Sequence, residues 1–333
     1  ALALLGVREP RILQFAVDSL LSAYADDGHS SWMALLASKD IYIFFRKLIR
    51  SLGDLFIFIH RRMEHPNISP SQDTILEELA VSSIRLARKL LDIAKQKELL
   101  APSVVEGAPP PLKVISLLSE MVALFMLKGS RIVSGPALAF VEELASLTGY
   151  ESFDWNSGLV WRMIRSRNSN IAVHGIWWLE SNLTLWATGD EASSPEAVGS
   201  LVFCLGLDYL VEVRLRVTAA IFSILSSLST QARFRPQLLE KTHFSLMADA
   251  FSQNSCFAAR QEQSHADQET SHDLQIDVLR SISKMLANLY TSGHSKTTQQ
   301  LVDQYMPGLN QTVMNEKDDI VQFYVTMMFP KSK

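Results

Sequence analysis

A chain of 333 residues that sets 31 Lys+Arg against 35 Asp+Glu has a formal charge of −4, so no bulk electrostatic attraction draws it to nucleic acid or an anionic membrane. With 47% apolar and 20% charged residues it is too hydrophobic for a disordered chain, and it is long enough to bury a large core as two domains or one elongated one. Only 14 Gly and 12 Pro punctuate it, and β-branched residues do not dominate its apolar runs, which points to long helices rather than many short strands.

Taken in order, the first helix opens at Pro10 and carries Ile12, Leu13, Phe15, Ala16 and Leu20 on a broad apolar face until Asp26, Asp27 and Gly28. A short segment at Trp32 to Ala37 leads into a long one from about Ile41 to Met63, stopped by Pro66 and Pro70. The next, roughly Gln72 to Lys97, is entered through Ser71 and closes with Lys89, Lys95 and Lys97, the charge polarity that complements a helix dipole. Residues 101–111 hold Pro102, Gly107 and Pro109 to Pro111, through which no helix passes, so they mark a loop or spacer between N-terminal helical repeats at 1–100 and a second region at 112–333.

Beyond it, helices are expected at about 112–128, 136–148, 157–167, 170–188 and 195–205, four of them followed directly by Gly129, Gly149, Gly189 or Gly206 as left-handed caps. Further ones fit 208–229, 236–253, 273–292, 296–305 and 318–329. Residues 253–272 are polar with few apolar anchors and read as an exposed insertion, disordered or weakly helical. No Asn-Gly or Asp-Gly hairpin lies between alternating segments, and neither of the two most apolar windows, 41–59 and 114–127, makes a good membrane span. The apolar start at Ala1, without an initiator Met or a basic leader, reads as a piece of a longer protein.

Three helix ends overlay: IWWLESNLTLWATG at 176–189, IFSILSSLSTQ at 221–231 and ISKMLANLYTSG at 282–293. Aligning Asn182-Leu183, Ser227-Leu228 and Asn288-Leu289 gives offsets of 45 and 61, and removing about 20 residues for the polar insertion brings the second near 41, the period of a helical repeat. A weaker copy, FVEELASLTG at 140–149, places Ser146-Leu147 at the same point 36 residues earlier.

These segments resemble the armadillo/HEAT family of helical repeats. The third helix of an armadillo repeat typically reads Trp-x-x-x-Asn-Leu, which Trp178 to Leu183 matches, while the 282–293 copy keeps Asn288-Leu289 with Lys284 at the Trp position. The resemblance covers 112–330 in rhythm and one helix in motif, with Ser223 and Ser227 replacing the pair in the middle copy. It implies an all-α chain wound as a right-handed α-solenoid of stacked helix pairs. In importin-α-like members the Trp and Asn line a groove that holds an extended peptide, so the resemblance makes Trp178 and Asn182 groove residues and Asn288 a degenerate counterpart. A nuclear-import receptor is not implied, because that groove needs several such pairs in succession.

Independently of the family, Trp178, Asn182 and Trp186 fall at i, i+4 and i+8 and form one stripe, which is either a partner-binding surface or a set of core aromatics with local hydrogen-bond partners. Basic clusters offer a second surface: Arg46, Lys47 and Arg50, then Arg61 and Arg62, and above all Arg85, Arg88 and Lys89 with Arg162 and Arg165. Aligned across repeats they would receive an acidic or phosphorylated segment or a nucleic-acid backbone; taken singly, each is a solvated helix face.

Catalytic signatures are lacking. No two glycines lie closer than six positions, which rules out GxGxxG and GxxxxGK[ST], and the eight histidines form no HExxH and no i, i+4 pair. Cys204 and Cys256, 52 residues apart, sit in neither a zinc nor a nucleophile motif and point to an intracellular, reducing compartment without separating nucleus from cytoplasm. The sequence therefore leads to a noncatalytic protein-binding scaffold with no cofactor, no metal and no small-molecule substrate. The alternative is a nucleic-acid- or phosphopeptide-binding subunit of a nuclear assembly that uses the basic stripe.

Overall fold

The computed structural model describes residues 2–26, 39–65, 69–100, 111–128, 130–184, 196–261 and 268–329. Every regular element among them is helical, and none is a strand. By internal contacts the chain divides into two units, 1–159 and 160–333.

In the first unit the helices are α1 (Pro10–Asp26), α2 (Lys39–Met63), α3 (Pro70–Leu100), α4 (Pro111–Ser116), α5 (Ser119–Met126) and α6 (Arg131–Thr148). Pro10 opens α1, and Glu9 completes the start by accepting from the Ile12 N–H at 2.9 Å. The 31-residue α3 is the hub: α1, α2, α4 and α6 all pack on it, while α2 also packs on α5. Burial of Leu79, Ala80, Ile84, Ala87, Leu90, Leu91 and Ala94 accounts for that role, because these positions run down two adjoining sides of one helix. Across the α2 and α5 contact, Phe56 meets Phe125 edge to face at 5.7 Å, and the His60 ring stacks on Phe125 at 3.8 Å with its Nε2 2.9 Å from the Met121 carbonyl.

The expected spacer at 101–111 lies outside the described residues except for Pro111, which opens α4. Helices from either side of it, α3 and α6, pack on each other within this unit. The segment read as one helix at 112–128 is two, broken at Leu117 and Leu118, whose N–H groups reach back only three residues to Val114 and Ile115. Helix α6 begins five residues before Pro136 instead of at it. The ring costs the bond to the Ile132 carbonyl, and Ile132 is an exposed residue, where water can replace that bond.

The second unit begins inside α7 (Ser157–Ile164) and continues with α8 (Ser169–Ser181), α9 (Ala197–Leu205), α10 (Val211–Leu228), the single turn α11 (Arg235–Leu238), α12 (Lys241–Gln261), α13 (Gln268–Leu289), α14 (Ser295–Tyr305), α15 (Leu309–Asn315) and α16 (Asp319–Met328). Packing follows two series. Helix α8 packs on α10, α10 on α13 and α13 on α16; beside them α9 packs on α12 and α12 on α14. Contacts of α9 with α10 and of α12 with α13 join the series. The polar region at 253–272 is helical at both ends, where α12 runs to Gln261 and α13 starts at Gln268; residues 262–267 lie outside the described set.

Of the expected glycine caps, Gly149 ends α6 at φ +73° whereas Gly206 ends α9 at φ −89°, an ordinary right-handed turn; Gly129 and Gly189 lie outside the described residues. Gly175 serves a different purpose. A Cβ there would stand 2.9 Å from Ile164 Cγ1 and 3.2 Å from both Met163 Cβ and the Val160 carbonyl, so α7 and α8 approach too closely for a side chain.

Charged pairs tie neighbours of the first series together. Arg216 on α10 binds Glu180 on α8 through two bonds of 2.9 and 2.6 Å. Arg280 on α13 binds Asp318 with 2.7 Å between Nη2 and Oδ2 and also Asp277 at 3.1 Å, while Asp318 caps α16 by accepting from the Ile320 and Val321 N–H groups. The hydrogen bond from Arg280, with the backbone donors, holds the Asp318 carboxyl below its ordinary range.

Two predictions follow from this packing. Gly175→Ala should lose about 1 to 3 kcal/mol by overpacking, while Gly53→Ala, whose Cβ meets only Leu118 Cδ2 at 3.7 Å, should gain about 0.5 to 1 kcal/mol from helix propensity; opposite shifts of the urea midpoint check the pair. Because the folded Asp318 carboxyl titrates below its unfolded value, its contribution is present above the ordinary aspartate range and is lost as pH falls through the folded value. Unfolding followed from about pH 6 to about pH 3 should show a shallower acid limb in Asp318→Asn, which keeps the cap and loses the charge.

Candidate partner-binding surfaces

Helix α8 starts where Asn168 Oδ1 accepts from the Asn170 N–H at 3.0 Å. It is apolar nearly all round, and Ile171, Ala172, Val173, His174, Gly175, Ile176, Trp178 and Leu179 are all buried. Trp178 is 9% exposed and Asn182 is 5% exposed. The Asn182 amide is used within the helix: both its Nδ2 and its backbone N–H donate to the Trp178 carbonyl at 3.0 Å, satisfying one of the acceptors that a helix end leaves open. Trp178 and Asn182 therefore stand at the protein core and not on an open groove, and Trp186 lies outside the described residues. Asn288, half-buried, donates through Nδ2 to Ser229 Oγ at 2.8 Å and so links the ends of α13 and α10.

The five residues of the expected basic stripe are all exposed, but three already have carboxylate partners. Arg88 meets Glu143 at 3.0 Å, Lys89 meets Asp92 at 3.8 Å and Arg165 meets Glu196 at 3.5 Å. Burial raises the Glu143 carboxyl, yet the hydrogen bonds from Lys95 at 2.7 Å and from Arg88 outweigh it and hold the group below its ordinary range. Arg85, Arg88 and Lys89 belong to the first unit, Arg162 and Arg165 to the second.

Sequence reasoning passed over a cleft of about 330 Å3 in the second unit, lined by Arg165, Glu196, Gly199, Ser200 and Phe203. The last four recur at i, i+3, i+4 and i+7, so one face of α9 turns outward while Ala197, Val198, Leu201, Val202 and Cys204 hold the other in the core. Arg165, just past the end of α7, reaches over this face and donates from Nε to Ser200 Oγ at 3.3 Å. Beneath Gly199 lies His243 of α12, its Nε2 3.1 Å from where a Cβ would sit. Phe203 remains 51% exposed, a large apolar ring at the edge of a charged cleft. The spacing was readable in the sequence; the chance that Phe203 would belong to the core was not settled by it.

Two further side chains that could carry chemistry, Cys204 and His174, are buried. Burial pushes the Cys204 thiol up to about 12, and Sγ donates to the Ile164 carbonyl at 3.1 Å, so the group stays a thiol at neutral pH. His174 is buried edge-on to Trp177, with ring centroids 5.8 Å apart. Among the described residues no group of three or more His, Cys, Asp or Glu could hold a metal ion, and no helix is long and apolar enough to cross a membrane.

Compared with models of known protein families the chain matches none, and no curated protein is significantly similar to it in sequence.

Proposed function

We propose that the chain is a noncatalytic scaffold whose helices stack as armadillo- or HEAT-type pairs and which holds a segment of a partner protein on an exposed helix face. The order of packing supports the stacking: in the second unit α8, α10, α13 and α16 succeed one another at roughly the period read in the sequence, with α9, α12 and α14 as the accompanying series. In this reading Asn182 and Asn288 are joints of the stack and the binding surface lies on the other series.

The observation that carries the binding role is the half-exposed Phe203 ring beside Arg165 in the α9 cleft. Covering the exposed half of that ring is worth about 1 kcal/mol by area, and an aromatic next to an arginine is the usual composition of an interface anchor. The pair of Arg165 with Glu196 is open to water, with side chains 45% and 76% exposed, so a carboxylate of the partner can exchange for Glu196 at little cost. The segment that fits is short, with an aliphatic or aromatic residue for Phe203 and an Asp or Glu close by for Arg165.

A displayed peptide library panned on the protein tests this. Enriched peptides should share an apolar residue next to an acidic one and lose about tenfold in affinity on Phe203→Ala, with the thermal midpoint unchanged because the ring is already half in water. Absence of a shared pattern, or enrichment indifferent to Phe203→Ala and Arg165→Ala, would contradict the proposal.

A further inference from the structure

The outer face of α2 in the first unit carries a second surface, which stands whether or not the Phe203 cleft binds. Phe45, Leu48, Ile49, Leu52, Leu55, Phe56 and Ile59 of this helix are buried. Opposite them, Ile43, Arg46, Lys47, Arg50, Asp54, Ile57 and Arg61 share one face at helical spacing, and all are exposed. Arg46, Lys47, Arg50 and Arg61 form no ion pair among the described residues, unlike Arg88, Lys89 and Arg165. Among the described side chains of this face, four cations thus stand with one carboxylate, Asp54, on a chain whose formal charge is −4.

Two apolar side chains interrupt the charge. Ile43 is 56% exposed and Ile57 36% exposed, and they lie two heptads apart on the same side of the helix, about 21 Å along its axis at 1.5 Å per residue. A phosphate backbone would answer the cations and leave both isoleucines unmatched. A lipid surface would cover the isoleucines but would press Asp54 against anionic headgroups. A helix with apolar residues every seven positions and Glu or Asp on either side meets all of them at once, the isoleucines in its seam and the cations against its flanks.

We infer that the α2 face, from Ile43 to Arg61, is a docking surface for an acidic amphipathic helix of a partner protein. Ile43 and Ile57 set the register, Arg46, Lys47, Arg50 and Arg61 select the charge, and Asp54 favours a partner with a cation near the middle of its contact.

The test uses the full chain and four probes: a synthetic helix of about 24 residues with Leu at every seventh position and Glu at the flanking ones, a scrambled peptide of the same composition, a DNA duplex of about 20 base pairs, and phosphatidylserine vesicles. The designed helix should bind, with an affinity that falls as salt rises, and the scrambled peptide should bind at least about tenfold more weakly. Arg46→Glu with Lys47→Glu and Arg50→Glu should cost at least about tenfold, recovered by a peptide with Lys in place of Glu, and Ile43→Ala with Ile57→Ala about fivefold. Circular dichroism of each variant should be unchanged, since every altered side chain is exposed. Equal binding of the scrambled peptide, tighter binding of DNA or vesicles, or no binding of the designed helix by the folded protein would overturn the inference.

Discussion

The packing of α10 between α8 and α13 is the contact on which the second unit depends. From Leu215 to Leu228 nearly every α10 side chain is buried, including Val217, Ala219, Ala220, Ile221, Phe222, Ile224 and Leu225. A helix apolar on that many sides has no stable place in water and needs a neighbour on each flank. Its buried hydroxyls are spent inside the helix: Thr218 donates to the Arg214 carbonyl at 3.0 Å, Ser226 to Ser223 at 2.8 Å and Ser229 to Ser226 at 2.6 Å. With these hydroxyls satisfied locally, α10 can accept α8 on one flank and α13 on another. The links from Arg216 to Glu180 and from Asn288 to Ser229 then select which neighbour sits where, a matter of register more than of strength, since partly exposed ion pairs contribute little.

The same requirement explains where the exposed apolar residues fall. Each packed helix covers the sides that meet its neighbours and leaves the remaining side in water, apolar residues included. Helix α16, packed on α13, turns Ile320 and Phe323 outward; α9 shows Phe203. Helix α2 differs because its outer face is cationic as well as partly apolar, and Arg46, Lys47, Arg50 and Arg61 form no ion pair among the described residues. Some charged side chains elsewhere on the first unit are drawn into pairs, as Arg88 and Lys95 are by Glu143, whereas on α2 four unpaired cations stand together on one helix face.

Much of this was legible in the sequence for simple reasons. Helical class followed from periodicity, and the ends aligned at Asn182, Ser227 and Asn288 fall at the ends of α8, α10 and α13, because a shared pattern of apolar residues imposes a shared boundary. Trp178 and Asn182 were harder to place. Their own stripe suits a surface, and only the apolar residues on the remaining sides of α8, Ile171 to Leu179, argue for burial. The division after Leu159 could not be read, since it rests on contacts between residues far apart in the chain, and the Pro-rich stretch at 101–111 drew attention away from it. Neutralisation of Arg88 by Glu143, 55 residues away, was hidden for the same reason. The α2 face was readable, because Arg46, Arg50 and Ile57 repeat at helical intervals, but sequence alone does not tell an unpaired cation from a paired one.

Successive stacking of α8, α10, α13 and α16 is the central claim, and distances between spin labels test it most directly. Labels carried on unnatural ketone residues at Ser181, Thr291 and Thr326, all exposed, leave the native cysteines untouched. With neighbouring helix axes about 10 Å apart, a serial stack predicts that the separation from Ser181 rises from about 20 Å at Thr291 to about 30 Å at Thr326. A Ser181 to Thr326 distance no longer than that from Ser181 to Thr291 would mean that α16 folds back beside α8, and the account of successive stacking would fail.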